Sequence, residues 1–213
     1  MTDSQSVSTA RDKRRRELLK VAQRLFLAEG YQGTSVSAIV RAAGVAQGTF
    51  YLYFKSKEQV LLHLRGGVLA DYLRSFETGL AGPGAADERL VNGLERIYGA
   101  VRRSRPLVRV IRQAASGEET EQVWLEGKET LARPLAALIE VGVEDGSFQV
   151  DDAAMSAYLT LALFDDLLYE ALEYGKPASG RRTLRHGSRF LLRALGSDPA
   201  RVEALVPLPA RGR

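Results

Sequence analysis

The sequence predicts an all-α protein of about nine helices. Two observations predict this fold class: apolar residues recur every three or four positions along most of the chain, and glycines, prolines and polar capping residues separate the apolar segments. No segment alternates apolar and polar residues as a half-buried strand requires. The chain has 213 residues, of which 45% are hydrophobic and 26% are charged, so it can bury a substantial core.

The N-terminal quarter is predicted to hold three helices that pack on one another. The first covers residues 12–29 and ends at Gly30, a residue type that commonly terminates helices. Thr34 or Ser35 can cap the second helix, and Gly44 supplies the tight turn that leads to the third. This order is that of a helix-turn-helix, whose last helix can lie in the major groove of DNA. The apolar residues expected inside are Leu18, Ala22, Leu25, Phe26, Val36, Ile39, Val40, Ala43, Val45, Phe50 and Phe54.

Six further helices are predicted in the rest of the chain. They cover residues 56–79, 87–103, 106–116, 118–143, 151–174 and 181–195. Pro134 should bend the fourth of these, because proline removes a helix hydrogen bond. Residues 157–168 in the fifth are apolar nearly all round, so most sides of that helix must be covered. Residues 196–213 carry three prolines and three arginines with little apolar periodicity, and a flexible tail is expected there.

Positive charge is concentrated at the N-terminal end. Residues 1–60 carry ten Lys and Arg and five Asp and Glu, a balance of +5, whereas the remaining 153 residues have a balance of −1. This distribution is the one expected of a phosphate-binding face on the helix-turn-helix. A basic N-terminal run is also common in solvated tails, so the charge alone does not identify DNA as the partner.

The composition argues against several other function classes. The chain has no cysteine and only two histidines, and it shows no glycine-rich phosphate loop or paired-carboxylate motif. We therefore expect no catalytic residue, no metal site and no cofactor. No apolar run reaches the roughly 18–20 residues of a membrane span, and the polar first ten residues lack the apolar centre of a signal peptide. A cytoplasmic protein without a membrane partner is expected.

Residues 18–64 resemble the TetR-type repressors. The motifs that carry the resemblance are, in order, Ala28-Glu29-Gly30-Tyr31, Thr34-Ser35-Val36, Ile39, Ala42-Ala43-Gly44-Val45, Gly48-Thr49-Phe50-Tyr51, Tyr53-Phe54 and Ser56-Lys57-Glu58. The resemblance implies a repressor that binds a palindromic double-stranded DNA operator as a homodimer and releases it on binding a small molecule. The domains expected are a DNA-binding domain at 1–56, a helical effector-binding and dimerisation domain at 57–195, and the tail at 196–213. The last two helices, residues about 151–195, would form the dimer interface.

The third helix carries the residues expected to read DNA. Gln47 can pair with adenine, and Thr49 can bond a base or contact a thymine methyl group. Gly48 between them lets the backbone approach closely. The resemblance places Leu52 in the groove as well and assigns the remaining positions to phosphates or, for Ser37, to a base or phosphate. The predicted DNA contacts are Thr34, Ser35, Ser37, Gln47, Gly48, Thr49, Tyr51, Leu52, Tyr53 and Lys57.

Two points qualify this interface. Tyr51 and Tyr53 can also pack as core residues that expose only their hydroxyl groups. Ala46 stands where the family usually has a Ser or Thr cap, and an alanine cap costs about 1 kcal/mol of helix stability. The third helix is therefore expected to be looser than in its relatives before DNA is bound.

A mostly apolar effector pocket is expected among the later helices. An arginine in it would suit a hydrophobic or amphipathic effector with an anionic group. The candidate lining residues, each of which can equally be a plain core residue, are Tyr72, Phe76, Tyr98, Val108, Ile111, Arg112, Trp124, Leu131, Leu135, Tyr158, Leu161 and Phe164. Gly66-Gly67 in the fourth helix can act as a hinge or can allow close packing against the first helix. The alternative to a repressor is a helical ligand-binding or scaffold protein without operator function.

Overall fold

The computed structural model describes the backbone of residues 3–114, 118–173 and 177–208, and the side chains of residues 11–114, 127–168 and 180–208. All regular secondary structure in these ranges is α-helical, and no strand occurs in them. The helices are α1 (Asp3–Gly33), α2 (Val36–Ala43), α3 (Gln47–Tyr51), α4 (Lys57–Leu80), α5 (Ala86–Ala114), α6 (Glu118–Glu144), α7 (Ala153–Glu173), α8 (Pro177–Ala194) and α9 (Pro199–Leu205). The predicted all-α fold class is confirmed.

The two predicted glycine turns of the N-terminal region are present. Gly30 has φ 76° and ψ 164°, which interrupts the helical backbone of α1. Gly44 has φ 65° and ψ 35° and ends α2. Only glycine adopts these positive φ values at little steric cost, so the sequence dictates where each helix stops.

Helix α5 differs from its prediction, because one helix replaces the two that were expected on either side of Pro106. The helix runs without interruption from Ala86 to Ala114 with the proline inside it. Residues on both sides of Pro106 are buried, including Leu94 before it and Leu107 after it. Burial along both halves offsets the hydrogen bond that proline removes.

The chain divides into two compact units. The first unit contains residues 1–70 and 104–120, and the second contains residues 71–103 and 121–213. Helices α4 and α5 each contribute residues to both units. The core of the first unit buries Leu18, Ala22, Phe26, Tyr31, Ile39, Val40, Phe50, Phe54, Val60, Leu61, Leu64, Leu107, Val110 and Ile111. The inner-face residues predicted for the first three helices are all buried or packed against this core.

Close helix contacts in the second unit require glycine. A Cβ added at Gly79 of α4 would lie 2.5 Å from the backbone of Gly93 on α5. A Cβ at Gly142 of α6 would lie 2.1 Å from the ring of Phe148. Neither distance is compatible with a side chain, so α4 and α5 approach one another through their backbones at Gly79, and the Phe148 ring packs on the bare backbone of Gly142.

The segment expected to be a flexible tail, residues 196–213, contains a packed helix instead. Asp198 caps α9 by accepting hydrogen bonds from the N–H groups of Ala200 and Arg201 at 2.9 and 3.1 Å. Val202 is fully buried, and Arg201 forms two hydrogen bonds of 2.6 Å with the buried carboxylate of Asp87. One buried apolar side chain and the ion pairs of Arg201 and Glu203 hold this short helix. A single buried apolar residue is too sparse a signal to produce the apolar periodicity on which the prediction depended.

Candidate nucleic-acid interface

Side-chain and backbone caps fix the turn between α2 and α3. The Ser35 Oγ accepts a hydrogen bond of 3.0 Å from the N–H of Ala38 and so caps α2, as predicted. At the other end, the N–H of Val45 donates to the carbonyl of Val40 at 3.0 Å. These bonds satisfy backbone groups that helix ends leave unpaired, and they set the direction of α3 relative to α2.

Two phenylalanines anchor α3. Phe50 and Phe54 are 0% and 1% exposed, and their ring centroids lie 5.7 Å apart. With these rings turned inward, Tyr51 is 52% exposed and Leu52 is 70% exposed. Burial of one side of a short helix thus determines which of its residues face outward.

The outward side of α3 presents mainly polar groups. Gln47 and Gly48 are exposed, and Thr49 is half-buried. A Cβ placed on Gly48 would meet nothing within 4 Å, so the space above this backbone is open. This surface can receive base edges, because amide, hydroxyl and bare backbone groups lie along it.

The N-terminus of α3 lacks a side-chain cap. Ala46 has the extended backbone of an N-cap residue, with φ −70° and ψ 152°, but it makes no side-chain capping bond. The structure therefore agrees with the prediction that no side chain caps α3.

Lys57 is engaged with the protein itself. Its Nζ donates to the carbonyls of Tyr31 and Thr34 at 2.8 and 3.0 Å and lies 4.2 Å from the centre of the Tyr31 ring. The ammonium group therefore ties the start of α4 to the last turn of α1 and to Thr34, which follows α1. The sequence analysis assigned Lys57 to a phosphate and missed this role, because its partners lie 26 and 23 residues earlier in the chain.

Glu58 completes this group, which we call the Tyr31 cluster (Tyr31, Lys57 and Glu58). The Tyr31 hydroxyl donates to the Glu58 carboxylate at 2.9 Å. The hydroxyl of Ser56 is the main cause that lowers the pKa of Glu58, followed by the backbone of Glu58 and the Tyr31 hydroxyl. Burial, followed by the hydrogen bond to Glu58, raises the pKa of Tyr31. The cluster ties the end of α1 to the start of α4.

The hydroxyl of Thr34, assigned to a phosphate from the sequence, faces inward. Thr34 is 1% exposed, and its Oγ1 donates to the carbonyl of Gly30 at 2.8 Å. That bond stabilises the bend of α1 and removes the hydroxyl from the surface. Ser35 and Ser37 are exposed. Tyr53 is half-buried against the core of the first unit, so its ring packs as the alternative interpretation expected.

Several cations of α1 belong to the same unit. Arg11, Lys13, Arg14 and Arg16 are exposed, and Arg14 forms an ion pair with Glu17 at 2.9 Å. The Arg15 guanidinium lies 5.6 Å from the centre of the Phe54 ring, so this side chain packs behind the phenylalanine that anchors α3.

The residues predicted to line an effector pocket divide between the two units. In the second unit, Tyr158 is 44% exposed, Leu131 is half-buried, and the buried members are Tyr72, Phe76, Tyr98, Leu135, Leu161 and Phe164. Val108, Ile111 and Arg112 belong to the first unit, where Ile111 is part of the core. The side chain of Trp124 lies outside the described residues.

Neither a membrane-spanning helix nor a metal-binding group of side chains occurs in the described ranges. None of their helices is long and apolar enough to cross a membrane. In the same ranges, no group of three or more His, Asp or Glu side chains has an arrangement that could hold a metal ion.

Comparison with known proteins finds a tetR-type segment in the N-terminal part of the chain. Residues 18–64, which run from α1 into α4, match the family model for bacterial regulatory proteins of the tetR family. The matched segment includes α2, the Gly44 turn and α3, together with all three residues of the Tyr31 cluster.

The similar proteins are named as regulators or repressors. The HTH-type transcriptional repressor KstR2 of Rhodococcus jostii (strain RHA1) is 28% identical over 167 residues, which cover 77% of this chain and 80% of the relative. The fatty acid metabolism regulator protein of Bacillus subtilis (strain 168) is 34% identical over 74 residues, which cover 35% of this chain and 38% of that protein.

Solved structures show the same fold. A regulator of the TetR/AcrR family from Thermobifida fusca YX-ER1 superposes with a TM-score of 0.68 at 24% identity, over 84% of this chain and 97% of that one. The fatty acid degradation regulator FadR from Bacillus halodurans gives a TM-score of 0.67 at 21% identity, over 87% of this chain and 97% of that one. The chain therefore has the fold of these structures, an N-terminal helix-turn-helix followed by a helical C-terminal domain.

Proposed function

We propose that this protein is a tetR-type repressor that binds a palindromic operator as a homodimer and releases it when a hydrophobic or amphipathic small molecule binds. The observation that carries the proposal is the division of α3 into two sides. Phe50 and Phe54 hold one side in the core, while Gln47 and Leu52 stand exposed on the other. A helix that presents amide and apolar groups from a fixed support is suited to reading the major groove.

Each outward residue receives a role in this proposal. Gln47 and Thr49 bond base edges, Gly48 allows the backbone to approach, and Leu52 contacts thymine methyl groups. The phosphates or the rim of the groove are contacted by Tyr51, Ser35, Ser37 and the hydroxyl of Tyr53. The balance of +5 over residues 1–60 supports the same orientation toward DNA.

Exposed apolar side chains on α7 and α8 support the homodimer. Met155, Leu159 and Phe190 are 53%, 58% and 61% exposed, an unusual number of large apolar groups for two neighbouring helices. Gly187 lets the two helices pack closely, because a Cβ there would lie 2.9 Å from a methyl group of Leu167. A second copy that covers this patch also supplies the second half-site reader that a palindrome requires.

The effector class follows from the relatives and from the buried apolar residues of the second unit. Two of the similar proteins are described as regulators of fatty acid metabolism or degradation. An apolar chain would suit the buried aromatic and aliphatic residues proposed here for the pocket, such as Phe76, Leu135 and Phe164.

The test begins with selection of bound duplexes from a random DNA library. A palindrome should be recovered, and its affinity should fall steeply with salt, because binding releases counterions from phosphates. Gln47→Ala should weaken binding to the recovered duplex by about tenfold or more. Gln113→Ala, which removes an exposed glutamine of α5 in the same unit, should leave the affinity unchanged.

The scaffold alternative predicts different results. Under that alternative, no sequence is enriched in the selection, and Gln47→Ala behaves like Gln113→Ala. Either finding would exclude operator binding by α3.

A further inference from the structure

The second unit contains a cleft that the predicted pocket does not explain. Its volume is about 500 Å³, and it lies between α5, α8 and the segment that follows α9. Of the residues predicted to bind an effector, only Tyr98 lines it. The volume falls within the range of about 300–1,000 Å³ that small-molecule sites occupy.

Positive charge dominates this cleft, which we call the arginine cleft. Arg102 of α5 and Arg181 and Arg185 of α8 line it with a single acid, Glu95, so its charged lining residues carry a balance of +2. In the part of the chain that the structure describes, none of the three guanidinium groups lies within 4.0 Å of a carboxylate. Three guanidinium groups around one concavity, with one carboxylate among the lining residues, favour an anion with several oxygen atoms.

Apolar residues line the same space. Val91 of α5, Leu184 of α8 and Leu205 at the end of α9 contribute aliphatic surface between the arginines. A cleft that combines aliphatic surface with guanidinium groups matches an amphipathic molecule better than a simple inorganic anion.

The wall formed by residues 205–207 is fixed in place. Arg189, which is 6% exposed, donates to the carbonyl of Val206 at 2.7 Å and pairs with Glu203. Arg201 holds α9 to α5 through the two bonds to Asp87. The cleft is therefore preformed, which lowers the ordering cost of binding.

The cleft lies away from the patch assigned to a second copy. Arg181, Arg185 and Ser188 follow one another at intervals of four and three residues and share one face of α8. Phe190 comes two residues after Ser188, a spacing that places it on the opposite face. Dimerisation through Phe190 leaves the arginine cleft open.

We propose that the arginine cleft binds the anionic end of the amphipathic effector, with Arg102, Arg181 and Arg185 holding a carboxylate or phosphate and the aliphatic residues contacting the start of its chain. This inference rests on the proposed function, because it identifies where that effector binds and which charge it carries. It assigns the effector to a carboxylic acid or phosphate with an alkyl chain.

The experiment measures binding to the full chain by isothermal titration calorimetry. The probes are decanoate, decyl phosphate and uncharged decanol. The two anions are used below their critical micelle concentrations, and decanol is used below its solubility limit. At least one anion should bind at least about tenfold more tightly than decanol, and comparison of the two anions shows whether the cleft prefers carboxylate or phosphate. Saturating anion should also weaken binding to the selected operator, measured by fluorescence anisotropy.

Matched variants locate the site. The double variant Arg181→Gln with Arg185→Gln should lose anion affinity by about tenfold or more, and Arg102→Gln provides an independent change on α5. Arg182→Gln, an exposed arginine of α8 outside the cleft, should bind as the unchanged protein does.

The outcomes separate this inference from the proposed function. The inference about the arginine cleft is overturned if neither anion binds or if decanol binds as well as both anions. It is also overturned if the cleft variants bind the anion normally, or if bound anion leaves operator affinity unchanged. Protein that binds its operator but no anion leaves the repressor intact. Protein that binds an anion in the cleft but selects no duplex supports the site and overturns operator function.

Discussion

Lys57 can contribute to DNA binding in two ways. Its Nζ already bonds the carbonyls of Tyr31, in the last turn of α1, and of Thr34, so it can act by holding the chain that leads into α2 in place. It can also turn toward a phosphate when DNA is present, as the family resemblance implies. The two roles differ in their dependence on salt, because only a phosphate contact releases a counterion.

Lys57→Met should lower the free energy of unfolding by about 1 kcal/mol, because two carbonyls lose a charged donor that is only partly shielded from water. We expect weaker operator binding with an unchanged salt slope, measured by anisotropy across a salt series. A slope that falls by about 1 would show a direct phosphate contact instead. Lys55→Met, at an exposed lysine nearby, provides the control for stability.

The Tyr31 cluster should make stability depend on acid pH. A carboxylate whose pKa is lowered by folding contributes stability above its unfolded pKa and loses it as the pH falls through the folded value. For Glu58 the loss should begin near the ordinary value of 4.5 and continue below it. Urea midpoints measured from about pH 6 to pH 3 should therefore fall less for Glu58→Gln than for the unchanged protein.

The control for this measurement is Glu140→Gln, at an exposed glutamate of α6. A midpoint for Glu58→Gln that falls with pH as steeply as in the unchanged protein would contradict the prediction.

Local spacing was enough to predict some of the interface residues. Phe50 and Phe54 are four positions apart, which places both on one side of a helix and sends Tyr51 and Leu52 outward. The inward bond of Thr34 and the partners of Lys57 depend on where distant segments meet. Periodicity carries no information about such contacts, so these two residues were assigned to phosphates.

At the scale of elements, the glycine pair of α4 is the clearest candidate for a hinge. A Cβ at Gly66 or Gly67 would meet nothing within 4 Å, so close packing does not explain either glycine. The pair lies shortly before residue 70, where the first unit's part of α4 ends. Glycines in that position weaken the helix that joins the two units along the chain.

Replacing both glycines with alanine should stabilise α4 by about 1 kcal/mol per site, because the space is open and alanine favours the helix. If the pair acts as a hinge, the variant should bind the operator but respond less to the effector. Thermal unfolding and anisotropy with saturating effector measure the two effects. Glu77→Ala, at an exposed position of α4, controls for helix propensity. If the double glycine variant responds to effector as strongly as the unchanged protein, the hinge hypothesis is wrong.

Helix boundaries were predictable where local chemistry sets them. Gly30 and Gly44 end or interrupt helices through positive φ values that the residue type allows. Pro106 misled the prediction because a local rule demanded a break, whereas burial on both sides of it keeps α5 continuous. Helix α9 was missed for the opposite reason, since one buried valine and ion pairs with distant residues leave almost no periodic pattern.

At the scale of the whole molecule, the proposed homodimer is open to a direct test. Leu159→Asp combined with Phe190→Asp places two charges in the exposed apolar patch of α7 and α8. Sedimentation should then show a monomer, because charges cannot be buried in such an interface without a partner. Operator affinity should fall by about a hundredfold or more, since one half-site reader is lost.

Val143→Asp, at an exposed apolar residue of α6 outside that patch, should leave both the oligomeric state and the affinity unchanged. A double variant that remains dimeric would place the interface elsewhere.

The arrangement of the chain into units was beyond the reach of sequence reasoning. Residues 104–120 join the N-terminal unit, although they follow a long stretch that belongs to the second unit. Helix periodicity identifies that Leu107 and Ile111 will be buried, but it does not show in which core. Assignment of Val108, Ile111 and Arg112 to an effector pocket followed from that ambiguity.

The ion pair between Arg201 and Asp87 also matters for how the protein can be produced. The partners are 114 residues apart, and the carboxylate is buried while the arginine belongs to the last helix. A shortened protein that stops at residue 195 would leave a buried negative charge without its counterion, which favours partial unfolding and aggregation. Such a fragment would also lack the buried Val202 and Glu203, the partner of the buried Arg189. For the same reason, purification tags are better attached through a long linker beyond Arg213 than in place of α9.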